Sequence, residues 1–125
     1  MCIRDSFIVG PNTGLGHSSM VFMIESQVAY IRSALRTLRQ GGYAAVEVGR
    51  AETDAYNEAL QKRMKRTVWS AGGCDSWYLD SHGRNTTLWP YSTIDFRRRL
   101  ASFDADAYTL TRAGSPVATK EDVSA

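Results

Sequence analysis

The chain has 125 residues, 43% of them hydrophobic and 22% charged, with a formal net charge of +2. This length suits one small domain that buries about two thirds of the surface of its unfolded chain, and the composition is that of an ordinary globular protein. The small charge gives no electrostatic case for nucleic acid or a membrane surface, no apolar run approaches the ~20 residues that cross a bilayer, and no signal-peptide pattern opens the chain.

The first six residues, MCIRDS, read as a non-native leader. The apolar run FIVG (Phe7 to Gly10) follows without turn chemistry and looks like the end of a buried strand whose earlier part is cut away. The expectation is a C-terminal piece of something larger; a short natural N-terminus leading into a first strand is the alternative. Two cysteines, Cys2 and Cys74, make a disulfide framework improbable and fit a reducing, cytoplasmic setting. Cys74, Asp75, Asp80 and His82 lie close in sequence, but no CxxC or HxxxH pair accompanies them, so no metal centre is expected.

After FIVG comes the glycine-rich loop GPNTGLGHSS (Gly10 to Ser19), with Ser18 and Ser19 as candidate helix N-caps. Val21, Ile24, Val28, Ile31, Leu35 and Leu38 then form one apolar helical stripe, with Arg32, Arg36 and Arg39 on the other face and Gly41-Gly42 as the stop. YAAVEV (Tyr43 to Val48) reads as a strand. A second helix is expected from about Glu52 to Trp69, acidic early and basic late as the helix dipole prefers, with Tyr56, Leu60, Met64 and Val68 as its stripe. CDSWYLD (Cys74 to Asp80) is strand-like, SHGRN (Ser81 to Asn85) is a turn, and TTLWP is a short extended piece stopped by Pro90. Ser92 to Phe103 suggests a short capped helix with Asp95 in its first turn, and DAYTL suggests a last strand. From Thr111 onward the small, polar composition reads as a disordered tail.

The loop has the placement of a phosphate-binding turn yet fits neither common motif. Against G-x-x-x-x-G-K-[ST], Pro11 replaces the first glycine and His17 the lysine that reaches the phosphates, which excludes that reading. Against G-x-G-x-x-G, Gly14 and Gly16 match, Ser19 takes the third place, and Glu47 is a candidate ribose-binding acid. Gly14, however, lies beyond the strand end, and Glu47 comes later than the usual ~20 residues. What survives is general: free N–H groups at a helix N-terminus favour a partly negative ligand atom, and that atom need not be phosphate. A tight turn with a good cap and no ligand explains the same residues.

Two stretches point further. FIVGPNTGLGHSSMVFMIESQ resembles the closing part of the FAD domain in class B flavoprotein monooxygenases, the Baeyer–Villiger and flavin-containing enzymes, and most of all the cyclohexanone and 4-hydroxyacetophenone monooxygenase types. CDSWYLDSHGRNTTLWP resembles the SWYL segment of that family and the GRN-T-LWP that follows it in one subgroup. The resemblance runs from about Phe7 to Tyr108. It implies an α/β fold: the C-terminal part of a Rossmann-like FAD-binding domain (7–42), then a small α+β segment (43–110), then the tail (111–125). It also implies FAD and NADPH as cofactors, O2 and a small organic compound as substrates, and a missing N-terminal part of the same enzyme as partner.

Residue by residue, the resemblance puts the donor to the flavin pyrimidine edge at the Met20 N–H, with Ser19 beside it as cap. It carries Asn12, Thr13, Gly14 and Leu15 close past the flavin ring, and sets Trp77 near NADP and the substrate pocket. Trp77 is otherwise an ordinary core aromatic. Tyr78, facing the other way by strand alternation, is read as structural, and Arg97, Arg98 and Arg99, spread over about 200° of a helix, as solvated or domain-contacting. No catalytic residue is assigned: the family's G-x-G-x-x-G motifs, its FxGxxxHxxxW fingerprint and its oxygen-chemistry arginine do not occur in this sequence. A fragment with one wall of a flavin site is expected to be inactive alone and to expose the stripe from Val21 to Leu38. A stand-alone NAD-type module built on Gly14, Gly16 and Glu47, and a non-catalytic interaction domain, are the alternatives.

Overall fold

The computed structural model describes residues 8–15, 18–71, 78–112 and 114. Its elements in chain order are α1 (Met20–Gly41), β1 (Tyr43–Val48), α2 (Arg50–Met64), α3 (Val68–Ala71), α4 (Thr93–Arg99), a 3₁₀ turn (Ala105–Ala107) and β2 (Tyr108–Arg112). β1 and β2 pair antiparallel, with Val46 opposite Leu110 and Val48 opposite Tyr108, and an irregularity between Tyr43 and Ala45. Thr111 and Arg112, assigned by composition to the tail, belong to this ladder.

The core is small. Met23 of α1, Leu60 of α2, Trp89 and Phe96 of α4 form one buried cluster, against which Leu15, Tyr91 and Leu100 pack. Trp89 stands edge-on to Phe96 at 5.1 Å between ring centroids and lies 5.1 Å from Tyr91. Its indole N–H donates to the Ser92 carbonyl (3.0 Å). Arg97 sets its guanidinium over the Phe22 ring at 4.9 Å and so ties α4 to α1. Arg99 does the same over Tyr91 at 5.0 Å. Two of the three consecutive arginines are therefore contacts within the fold.

α1 starts and stops where its sequence says. Ser19 is the N-cap, and Gly42, at φ 64°, donates its N–H to the Leu38 carbonyl, a left-handed C-cap that glycine adopts without steric cost. The apolar stripe is only partly turned to the core: Ile24, Ile31 and Leu38 are half-buried, and its other edge faces out. Val21, Val28 and Leu35 are 62%, 47% and 60% exposed, whereas Met23 and Ser26, on the neighbouring face, are buried. Tyr30 shares that inner side, its ring 5.7 Å from Phe103 and its hydroxyl 3.0 Å from that of Tyr108. The described residues thus leave an apolar line along α1 open.

Two expected elements change. Phe7 lies outside the described residues; Ile8 and Val9 form bends, Gly10 belongs to no regular element, and Val9 takes a φ of 60°, so 8–10 are not a strand. No other described segment pairs with them, and an extended run without a neighbour leaves its backbone groups unpaired. The second helix ends at Met64. The Thr67 hydroxyl donates to the Met64 carbonyl (2.7 Å), as does the Thr67 backbone N–H (2.9 Å), closing a turn before the short α3 begins. Such local side-chain bonds compete with helix continuation. Leu60 and Met64 are buried as expected, but Tyr56 and Val68 are exposed.

α4 carries its own start signal. Ser92 Oγ accepts from the Asp95 N–H (3.1 Å) and donates to the Asp95 carboxylate (2.8 Å), a reciprocal cap on a helix of seven residues. Ser92→Ala should therefore cost about 1 kcal/mol, read as a lower urea midpoint with an unchanged slope. An unchanged midpoint would mean that the cap contributes nothing.

Candidate functional site

Two chain segments far apart in sequence meet at the glycine-rich loop. Asn12 donates its backbone N–H to the Thr86 carbonyl (2.8 Å), Gly14 donates to Thr87 (2.8 Å), and Trp89 donates back to Gly14 (2.9 Å). These bonds make a parallel bridge between Gly14 and Leu88. The Asn12 side-chain amide donates to the carbonyls of Asn85 (2.8 Å) and Leu88 (3.0 Å). Thr13 turns its hydroxyl onto the Gly10 carbonyl. Asn12 and Thr13 are buried. A Cβ at Gly14 would lie 2.8 Å from the Thr87 oxygen, so this glycine is required by the approach of its own chain.

The start of α1 lies next along the chain, beyond residues 16 and 17, which fall outside the described set. Ser19 is extended (φ −76°, ψ 121°), its side chain makes no capping bond, and the first turn holds no acid. Among the described residues, the leading N–H groups of this 22-residue helix therefore have no side-chain acceptor, and they sit at the end that carries about half a positive elementary charge. Leu15 packs on the same cluster as Met23, and the Val9 N–H donates to Gln27 Oε1 of α1 (3.0 Å). The loop and the helix are thus held by one core.

The structure places Asn12, Thr13, Gly14, Leu15, Ser19 and Met20 in this one region. Trp77 lies outside the described residues, as do Gly16, His17 and Cys74. Its neighbour Tyr78 stands edge-on to Trp69 at 5.9 Å. Glu47 lies exposed on β1. Because β1 pairs antiparallel with β2 and residues 8–10 are not a strand, the parallel strand–helix–strand unit that a dinucleotide motif requires is absent from the described residues.

Asn85 is the residue that sequence reasoning missed. It is 1% exposed. Its Oδ1 accepts from the N–H groups of Thr87 (3.2 Å) and Leu88 (3.0 Å), which fixes the amide orientation. Its carbonyl accepts from Asn12 and also from Gln61 of α2 (2.9 Å). Its Nδ2 has no partner among the described residues. Its signals were a place two residues after a turn glycine, shared by countless surface turns, and membership of the GRN-T-LWP stretch, which assigns it no role.

Behind Trp89 a cleft of about 510 Å³ opens between α1, α2, α4 and β2, walled by Tyr30, Tyr56, Trp89, Phe96 and Tyr108, with Arg99 at its edge. Burial and the Tyr108 hydroxyl raise the Tyr30 phenol well above its ordinary value; desolvation in the cleft raises that of Tyr56, although the residue as a whole is half exposed. Both stay protonated at neutral pH. Among the described residues no three histidine, cysteine, aspartate or glutamate side chains gather as a metal site, and no helix is long and apolar enough to cross a membrane.

Over 106 residues, 84% of this chain, the sequence is 53% identical to a Baeyer–Villiger monooxygenase of Pseudomonas aeruginosa and 51% identical to one of Streptomyces coelicolor. By sequence, this chain is similar to a segment of proteins named Baeyer–Villiger monooxygenase. It spans only 20% of the length of those two relatives. A FAD-binding monooxygenase of Aspergillus niger, ktnD, is 30% identical over 118 residues, 91% of this chain and 19% of its own. No family model matches the sequence, and no solved structure does. The likeness to the Baeyer–Villiger proteins extends well beyond the glycine loop, because 84% of the chain cannot be covered by either short motif alone.

One titration is built into the turn that follows Tyr78. The Asp80 carboxylate accepts from the backbone N–H of Arg84 and of His82 (2.9 Å each) and from the Arg84 guanidinium (3.0 Å). The Arg84 N–H first, then the other two donors, hold its pKa below the ordinary carboxylate value. A depressed folded pKa means that the turn is stabilised above the ordinary value and loses that stabilisation as pH falls through the folded one. Amide shifts of His82 and Arg84 should therefore titrate together at a pH below that of a free aspartate. A midpoint at or above the free value would contradict these bonds.

Proposed function

We propose that this segment forms one wall of the flavin site in a FAD- and NADPH-dependent monooxygenase that inserts one oxygen atom from O2 into a ketone or another small organic substrate. The observation that carries the reading is the N-terminus of α1: a long helix with no side-chain cap and no acid in its first turn, beside a loop pinned by backbone bonds, in a chain about half identical to Baeyer–Villiger monooxygenases. Two more distant relatives are named as FAD-binding monooxygenases, one of them as a probable one.

In this reading the Met20 N–H donates to the partly negative pyrimidine edge of the flavin, with Ser19 beside it. The loop of Asn12, Thr13, Gly14 and Leu15 passes along the ring, and Trp77 stands on the nicotinamide side. The free helix end suits such a ligand, since uncapped N–H groups and the helix dipole both favour partial negative charge. The flavin, when bound, supplies the oxygen chemistry; the chain supplies orientation and electrostatics. Residues 7–42 then close the FAD-binding, Rossmann-like unit and 43–110 make the segment beyond it. The open line of Val21, Val28 and Leu35 suits burial against the rest of the same enzyme.

Met20→Pro in the intact protein tests this directly. Met20 is the first helical residue, where proline is well tolerated, and the extended Ser19 before it is the conformation that a following proline prefers. The change deletes one N–H and spares the helix. A lost hydrogen bond to a charged acceptor, about 1.5–3 kcal/mol, should weaken FAD binding by about ten- to a hundredfold, with helix content unchanged. Undiminished FAD affinity would remove Met20 from the site. Trp77→Ala, by contrast, should impair NADPH use while FAD remains bound.

A further inference from the structure

We propose that Asn12 is a positioning residue of the loop and not itself a flavin contact. The inference rests on the flavin reading above and divides the loop's residues by role. An asparagine amide has two N–H donors, and the Asn12 amide spends both on the Asn85 and Leu88 carbonyls. Its backbone N–H goes to Thr86. All three bonds reach one segment more than seventy residues away, and the residue is buried, which leaves no side-chain donor to offer a ligand.

The backbone explains why asparagine stands here. Asn12 has a φ of 55°, the left-handed region that asparagine enters more readily than other side-chain-bearing residues. That turn lets the next residues run alongside 86–88. Asn12 and Gly14 then direct their N–H groups to Thr86 and Thr87. Gly14 also receives the Trp89 N–H on its carbonyl, so both of its backbone polar groups are spent on the 86–89 segment. The clamp thus commits this edge of the loop to the fold. Asn85 is the other half. Its Oδ1 gathers the N–H groups of Thr87 and Leu88, and its carbonyl receives both Asn12 and Gln61, so the loop is referred to α2 as well.

Two variants of the intact protein test the clamp. Asn12→Asp keeps the shape but sets a carboxylate against two carbonyl oxygens. Asn12→Gly keeps the positive φ accessible, removes both side-chain bonds, and remains informative if the aspartate variant does not fold. FAD affinity is measured by titration, and amide hydrogen exchange is measured on the flavin-free protein. The clamp predicts FAD binding weakened about tenfold or more, with faster exchange at the Gly14 and Trp89 amides and unchanged exchange in α1 and α4. FAD affinity within about twofold of wild type overturns the proposal. So does weakened FAD binding with unchanged Gly14 and Trp89 exchange, because Asn12 would then touch the flavin directly. Faster exchange throughout α1 and α4 overturns it as well, showing a general structural role. If the unaltered intact protein binds no FAD at all, the flavin reading itself falls; the exchange rates of the glycine variant still report whether Asn12 holds the loop.

Discussion

Trp89 is the residue on which the rest of the structure depends. Its backbone N–H closes the bridge to Gly14, its indole N–H bonds the Ser92 carbonyl just before α4, and its ring packs on Phe96 and Tyr91. The Arg99 guanidinium lies 5.8 Å above it. One residue, through its backbone and its side chain together, therefore fixes the glycine-rich loop, the start of α4 and the inner wall of the cleft in a common frame. A buried aromatic that also satisfies its polar N–H contributes both apolar area and orientation, and a core of so few residues has little else to supply either.

α1 faces two ways. Its Met23, Ser26 and Tyr30 side belongs to the core described here, and its Val21, Val28 and Leu35 side is open. A helix of a finished globular domain normally buries its main apolar stripe. The open line and the uncapped N-terminus fall on the same helix, so the element that offers donors to a ligand also offers an apolar face to a neighbour. Both features suit a helix at the junction between a cofactor and a larger sheet, which is the place proposed for it.

Much of the local structure was legible because its signals are local. The 3–4 spacing and Gly42 delimit α1, Ser92 and Asp95 mark α4, and YAAVEV and DAYTL announce the two strands. What was not legible depends on partners distant in sequence. Periodicity showed that α1 has an apolar stripe but not which face the chain's own core would use. FIVG reads as a strand by composition, but a strand needs a neighbour to pair with, and the described residues supply none. Thr67 ended α2 through a hydroxyl bond that no stripe reveals. At the site, the six residues of the loop and helix start were found together, but their roles were not separable. Asn12 suited a turn, a ligand contact or a clamp equally well until its bonds to Asn85 and Leu88 were seen. Asn85 lay inside the GRN-T-LWP resemblance, but nothing in that stretch told that it would hold the loop.

The central claim is that the start of α1 faces a flavin. A structure of the intact protein with FAD bound tests it most directly. The account predicts the Met20 N–H within hydrogen-bonding distance of the oxygen on the flavin pyrimidine edge, with the bridge between Gly14 and Leu88 intact. A flavin whose pyrimidine edge is bound by other residues, with the N-terminus of α1 directed into solvent, would contradict it.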